Sequence, residues 1–149
     1  MNGPRWLDER EERMWRAFYA MRRSLDRAID RQLTVSGLSS ADYELLVPLS
    51  EAPGHELRAR DLGRQVDWDR SRLSHQLRRM ERRGLVVRHE CDSDARGTMI
   101  RLTGEGLHAV EAAAPGHVAT VRAHFVDLLS DEEIDTLTAV ADRVLGRGH

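Results

Sequence analysis

Apolar residues recur every three to four positions from about Leu7 to Leu33, with Met14, Phe18, Met21, Leu25 and Leu33 on one stripe and Trp15 and Ile29 beside it. That spacing predicts a long amphipathic helix. Gly37 breaks the pattern. Ser39 is placed to cap a second helix, ADYELLVPLSEA, which Pro53-Gly54 closes. Leu57 predicts a brief strand ahead of a short helix around Asp61–Val66. A further helix opens at Asp69, whose carboxylate is suited to accept the free N–H groups of the first turn, and Trp68 and Leu73 have the spacing of a hydrophobic staple. Its inward stripe is Leu73, Leu77 and Met80, and Gly84 ends it.

Two strands follow, Val86–Glu90 and Met99–Leu102, rich in β-branched and apolar residues and joined by the polar, turn-forming CDSDARG. From a cap at Thr103 the pattern predicts a long helix through Leu107, Val110, Val118, Val121 and Phe125 to Leu129, kinked or interrupted at Pro115-Gly116. Ser130 and Glu133 form the reciprocal pair of a capping box. They open a last helix with Ile134, Leu137, Val140, Ala141, Val144 and Leu145 inward. The expected class is mainly α (α+β).

The chain's 149 residues predict one domain or one compact subunit. No apolar run approaches the roughly 20 residues of a membrane helix, and the N-terminus MNGPRWLDEREER lacks an apolar signal core. The single cysteine, Cys91, excludes an internal disulfide. A cytoplasmic location, without membrane association, is therefore expected. A redox role for Cys91 would need a second thiol to resolve a sulfenic acid, and the chain has none. His108, His117 and His124 lack the cysteines or compact acid cluster of a metal sensor, so no metal and no cofactor is expected. The chain also lacks a Gly-rich phosphate loop, a Cys–His nucleophile pattern and a dense carboxylate–His cluster; it reads as a non-enzyme.

Charge changes the picture. Between Leu57 and Thr103 twelve arginines face seven acids, a local +5, whereas the remainder carries −7. A basic helix followed by a basic hairpin on an acidic body is the electrostatic outline of a nucleic-acid-binding surface. On the helix that Asp69 opens, the outward face carries Ser71, His75, Arg78 and Arg82, flanked by Arg72 and Arg79. A helix fits the DNA major groove, and its first turns approach the bases. Arg70, Ser71, Arg72, His75 and Gln76 are the candidates there: arginine donates two bonds to guanine, glutamine bridges adenine, and serine holds a phosphate or a water. Arg78, Arg79 and Arg82 lie further along, at phosphate distance. The blander reading is a solvated face paired with acids, but Glu81 is the only acid inside this helix after its cap. For Arg88 and Arg101, on the strands, solvent exposure and phosphate contact weigh equally.

The first and the last two helices carry more apolar surface than one small lobe can cover, which predicts a homodimer. A two-fold axis would set two recognition helices about 34 Å apart and select a pseudo-palindromic site.

In their order and local sequence these elements resemble the MarR-type winged helix-turn-helix regulators. LRARDLGRQVDWDRSRLSHQLRRMERRGLVVR is similar to that family's stretch from scaffold helix to recognition helix, DSDARGTMIRLTGEG to its wing, and LSDEEIDTL to the entry of its final helix. Asp69 stands where a serine is more usual, and Trp68 is bulky for a staple. The resemblance implies one subunit over residues 1–149, with a winged helix-turn-helix lobe at 38–103 and helical dimerisation regions at 7–36 and 104–149. It implies a transcriptional regulator, more often a repressor, that binds double-stranded DNA. The wing pattern places Arg96 in the minor groove, supported by Asp94, which holds the arginine or simply shapes the turn. The family also commonly lodges a small aromatic or anionic effector between dimer helices and lobe. Trp15, Arg16, Tyr19 and Tyr43 are the candidates by position, with core and interface packing as the alternative. The rival function is a winged-helix protein-interaction module that meets an acidic partner without reading DNA sequence.

Overall fold

The computed structural model describes residues 3–90 and 97–147; Cys91, Asp94 and Arg96 lie outside the described residues. The elements run α1 (Glu9–Val35), α2 (Ser40–Glu51), β1 (Glu56–Arg58), α3 (Ala59–Val66), α4 (Arg70–Arg82), β2 (Val86–Glu90), β3 (Thr98–Leu102), α5 (Gly104–His124) and α6 (Asp131–Val144), with single 3-10 turns at Pro53–His55 and Val126–Leu128.

Capping side chains open these helices except α3, because the first N–H groups of a helix have no partner within it. Ser39 and Asp42 form a reciprocal box at α2, and Ser130 and Glu133 form one at α6. The two bonds from Ser130 hold the Glu133 carboxyl below its ordinary pKa. The Thr103 hydroxyl accepts the Gly106 N–H at 3.0 Å. Asp8 and Glu11 make a further box that leads into α1.

The chain divides into two compact units, residues 1–29 with 118–149 and residues 30–117. The second contains a three-stranded antiparallel sheet in the order β1-β3-β2. Leu57 pairs with Ile100, and Arg88 also faces Ile100 in the register, so β3 is the central strand. The core of this unit is Leu45, Leu46 and Leu49 of α2, Leu62 of α3, Leu77 and Met80 of α4, and Val86 and Ile100 of the sheet, all at most 2% exposed. The helix–turn–helix turn is made by Asp67, whose left-handed backbone (φ 55, ψ 45) ends α3, with the Trp68 N–H returning to the Gly63 carbonyl at 3.0 Å. Aspartate is among the few non-glycine residues that adopt this conformation readily.

Three expectations are corrected. First, Pro115-Gly116 does not interrupt α5, which runs on through it as one helix. There Gly116 serves a close approach: a Cβ on it would lie 2.3 Å from Nε2 of Gln32. Second, α5 stops at His124, short of Leu129, and a 3-10 turn follows. Third, the apolar stripe of α6 is not inward in the single subunit. Ile134, Leu137 and Val140 remain 37–39% exposed, and Val144 is 81% exposed. In the same unit Met14, Trp15 and Phe18 of α1 are also exposed. No helix among the described residues is long and apolar enough to cross a membrane.

Candidate nucleic-acid interface

Helix α4 starts where Asp69 Oδ1 accepts the Arg72 N–H at 2.8 Å. The cap fixes the first turn, and its unpaired N–H groups add partial positive charge. Arg70, Ser71, Arg72 and His75 are all exposed on this end, and Arg78, Arg79 and Arg82 continue the exposed face toward the C-terminus.

Arg72 does not hang free. Its guanidinium carbon sits 3.8 Å from the centroid of the Trp68 ring. Trp68 is buried, and its indole N–H donates to Glu44 Oε1 at 3.2 Å.

Gln76 is placed differently from the expectation that it reads a base. Only 4% exposed, it donates from Nε2 to Asp42 Oδ1 at 2.6 Å and accepts at Oε1 from Arg79 NH2 at 2.6 Å. Its position three residues after Leu73 and four before Met80 puts it on the inward side of α4, which the sequence spacing already contained. Its role here is to hold Arg79 and to tie α4 to α2.

Arg83 is a residue that no local sequence pattern singles out. Its NH1 donates to the buried Asp42 Oδ2 and its NH2 to the Gly37 carbonyl. Asp42 Oδ2 also accepts the Ser39 N–H at 2.9 Å, so one carboxylate serves the α2 cap, Gln76 and Arg83 together. Arg88 likewise proves to be paired: its side chain and its backbone N–H both donate to Glu81 of α4. That acid quiets a strand arginine rather than a helix one.

Between α3, α4 and the sheet lies a groove of about 730 Å³. Arg58, Arg60, Arg64, Arg70 and Arg88 line it, against Asp67 as the one acid among its described lining residues. The first three arginines were visible in the sequence only as net charge, since nothing local assigns them a face.

The candidate effector residues divide between the units. Trp15, Arg16 and Tyr19 belong to the first: Trp15 stands edge-on to Tyr19 at 5.3 Å and stacks on Phe18 at 6.0 Å, while Arg16 pairs with Glu12 at 2.7 Å. Tyr43 belongs to the second and packs against the His117 ring at 4.5 Å. Burial, then the Glu51 charge, raises the Tyr43 pKa, and burial lowers that of His117, so both are neutral at neutral pH. Among the described residues no group of three or more His, Cys, Asp or Glu is gathered to hold a metal.

Comparison with known proteins places this arrangement. A MarR family model matches residues 36–97. The structure of AbsC, a MarR family transcriptional regulator from Streptomyces coelicolor, is 41% identical with a TM-score of 0.89, over 96% of this chain and 99% of that one. Sco3205 from the same organism, a MarR family transcriptional regulator solved in complex with DNA, is 38% identical with a TM-score of 0.92, over 97% of this chain and 91% of that one. The transcriptional repressor YetL of Bacillus subtilis is 25% identical over 87% of this chain and 77% of its own length. With two structural relatives this similar along nearly their whole length, the chain belongs to the MarR family of transcriptional regulators.

Proposed function

We propose that this protein is a sequence-specific DNA-binding transcriptional regulator, acting as a repressor, whose homodimer binds a pseudo-palindromic operator. The observation that carries the reading is the capped N-terminal end of α4, which exposes Arg70, Ser71, Arg72 and His75 beside a groove lined by arginines. The first turn enters the major groove, and Arg72 and Arg70 read base edges. Arg78, Arg79 and Arg82 meet phosphates, and Arg96 enters the minor groove, where a narrow A·T-rich segment concentrates negative potential. The DNA complex of Sco3205 supports this use of the fold.

Dimerisation is supported by the apolar side chains that α1 and α6 leave in solvent, a density that a lone soluble subunit rarely carries. A small aromatic or anionic effector would release the DNA, with Trp15, Arg16 and Tyr19 in the first unit, or Tyr43 in the second, as its candidate contacts. The test is a binding titration with a duplex from the region upstream of the gene and with random duplex, at increasing salt. A regulator keeps preferring its own duplex as both affinities fall. Equal binding to the two would reject the reading and favour an interaction module.

A further inference from the structure

We propose that Trp68 is a specificity-positioning residue: it holds the Arg72 guanidinium against its ring so that the arginine enters the major groove in a preset orientation. The proposal rests on the DNA-binding reading above and adds to it the device that makes one arginine of a crowded basic face selective.

The argument begins with what an arginine loses when it is held. Its side chain has many rotamers, and ordering them on the DNA opposes binding. A carboxylate partner would remove that freedom but would also occupy N–H donors, as Asp42 does to Arg83 and Glu81 does to Arg88. A ring face is different. At 3.8 Å the guanidinium carbon is in stacking contact with Trp68, and attraction to the π cloud uses none of its N–H donors. Those donors stay available for the two acceptors of a guanine edge.

The ring itself is fixed. Trp68 is 8% exposed, and its N–H is anchored on Glu44 Oε1. A carboxylate at the indole N–H also makes the ring a better partner for a cation. At the other end of the side chain, the Arg72 backbone N–H is held by Asp69. Arg72 is thus located at its backbone and near its tip, by two side chains that precede it in the sequence D-W-D-R-S-R.

The experiment selects binding sites from random duplexes with the full chain, then titrates the selected duplex and a scrambled one. Arg72→Ala marks the base pair that Arg72 reads. Trp68→Leu is expected to relax preference at that same base pair, weakening the selected duplex roughly tenfold while the scrambled duplex stays nearly unchanged. Trp68→Phe, which keeps a ring face, is expected to retain most of the preference. Should Trp68→Leu fail to fold by circular dichroism, Glu44→Ala frees the indole N–H without emptying the site. It is expected to relax the same position roughly threefold. Intact preference at the Arg72 position in the folded variant, or equal weakening of both duplexes, overturns the proposal. A wild-type chain that selects no motif overturns the DNA-binding reading instead, which separates the two failures.

Discussion

Asp42 and Arg83, 41 residues apart in the chain, meet through a 2.6 Å bond between Oδ2 and NH1. The carboxylate is 1% exposed and the guanidinium 44%. A charge taken that far from water persists only if its oxygens are fully used. Here Gln76 takes one and Ser39 N–H and Arg83 share the other. The contact ties the end of α4 to the start of α2 and so sets the angle at which the arginine face leaves the lobe.

Asp42→Ala should therefore cost about 3 kcal/mol of stability, because it strands Gln76 and Arg83 and dismantles the α2 capping box. Arg83→Ala should cost less, since two donors to the carboxylate remain. Urea unfolding of both variants measures this; a loss in Asp42→Ala smaller than in Arg83→Ala would contradict the ranking.

Two glycines should respond differently to an added methyl. In Gly106→Ala the Cβ would lie 2.1 Å from the Leu85 carbonyl oxygen, a backbone atom that cannot step aside. The expected cost is about 3 kcal/mol. In Gly116→Ala the nearest atom is the movable end of Gln32, and the expected loss is smaller. Comparison of thermal midpoints decides between them.

The outer face of α4, proposed to meet phosphates, predicts a salt signature. Arg78→Ala should weaken selected and scrambled duplexes alike, and should flatten the slope of log affinity against log salt by about 1. A change confined to one sequence would instead make Arg78 a base reader.

Arg96→Ala is expected to lower affinity several-fold with unchanged unfolding behaviour, if this arginine enters the minor groove as proposed. Fluorescence anisotropy with the selected duplex reads the effect. Unaltered affinity would remove the wing from the interface.

Leu137→Asp places a charge in the exposed stripe of α6. If that stripe is the subunit interface, sedimentation should show monomers at concentrations where the wild type is dimeric, with helical content preserved. A persisting dimer would move the interface elsewhere.

The sequence alone determined what short-range geometry controls. The helix caps at Ser39, Asp69, Thr103 and Ser130 were legible because a cap bonds an N–H two or three residues away, and the strands because β-branched content and turn residues are local. The basic outer face of α4 followed from 100° per residue. What tertiary structure decided is where each side chain spends its hydrogen bonds. Gln76 reads as a base contact until α2 brings Asp42 against it, Arg83 meets its acid 41 residues away, and Arg88, for which solvent and phosphate weigh equally in the sequence, pairs with Glu81 of α4. Pro115-Gly116 reads as a break in one helix, yet Gly116 lies where a Cβ would run into Gln32 of another. Most of these pairings join segments tens of residues apart, and even the seven-residue step from Glu81 to Arg88 crosses from helix to strand, so no local rule contains them: packing fixes the neighbours, and the neighbours decide which charges remain for DNA.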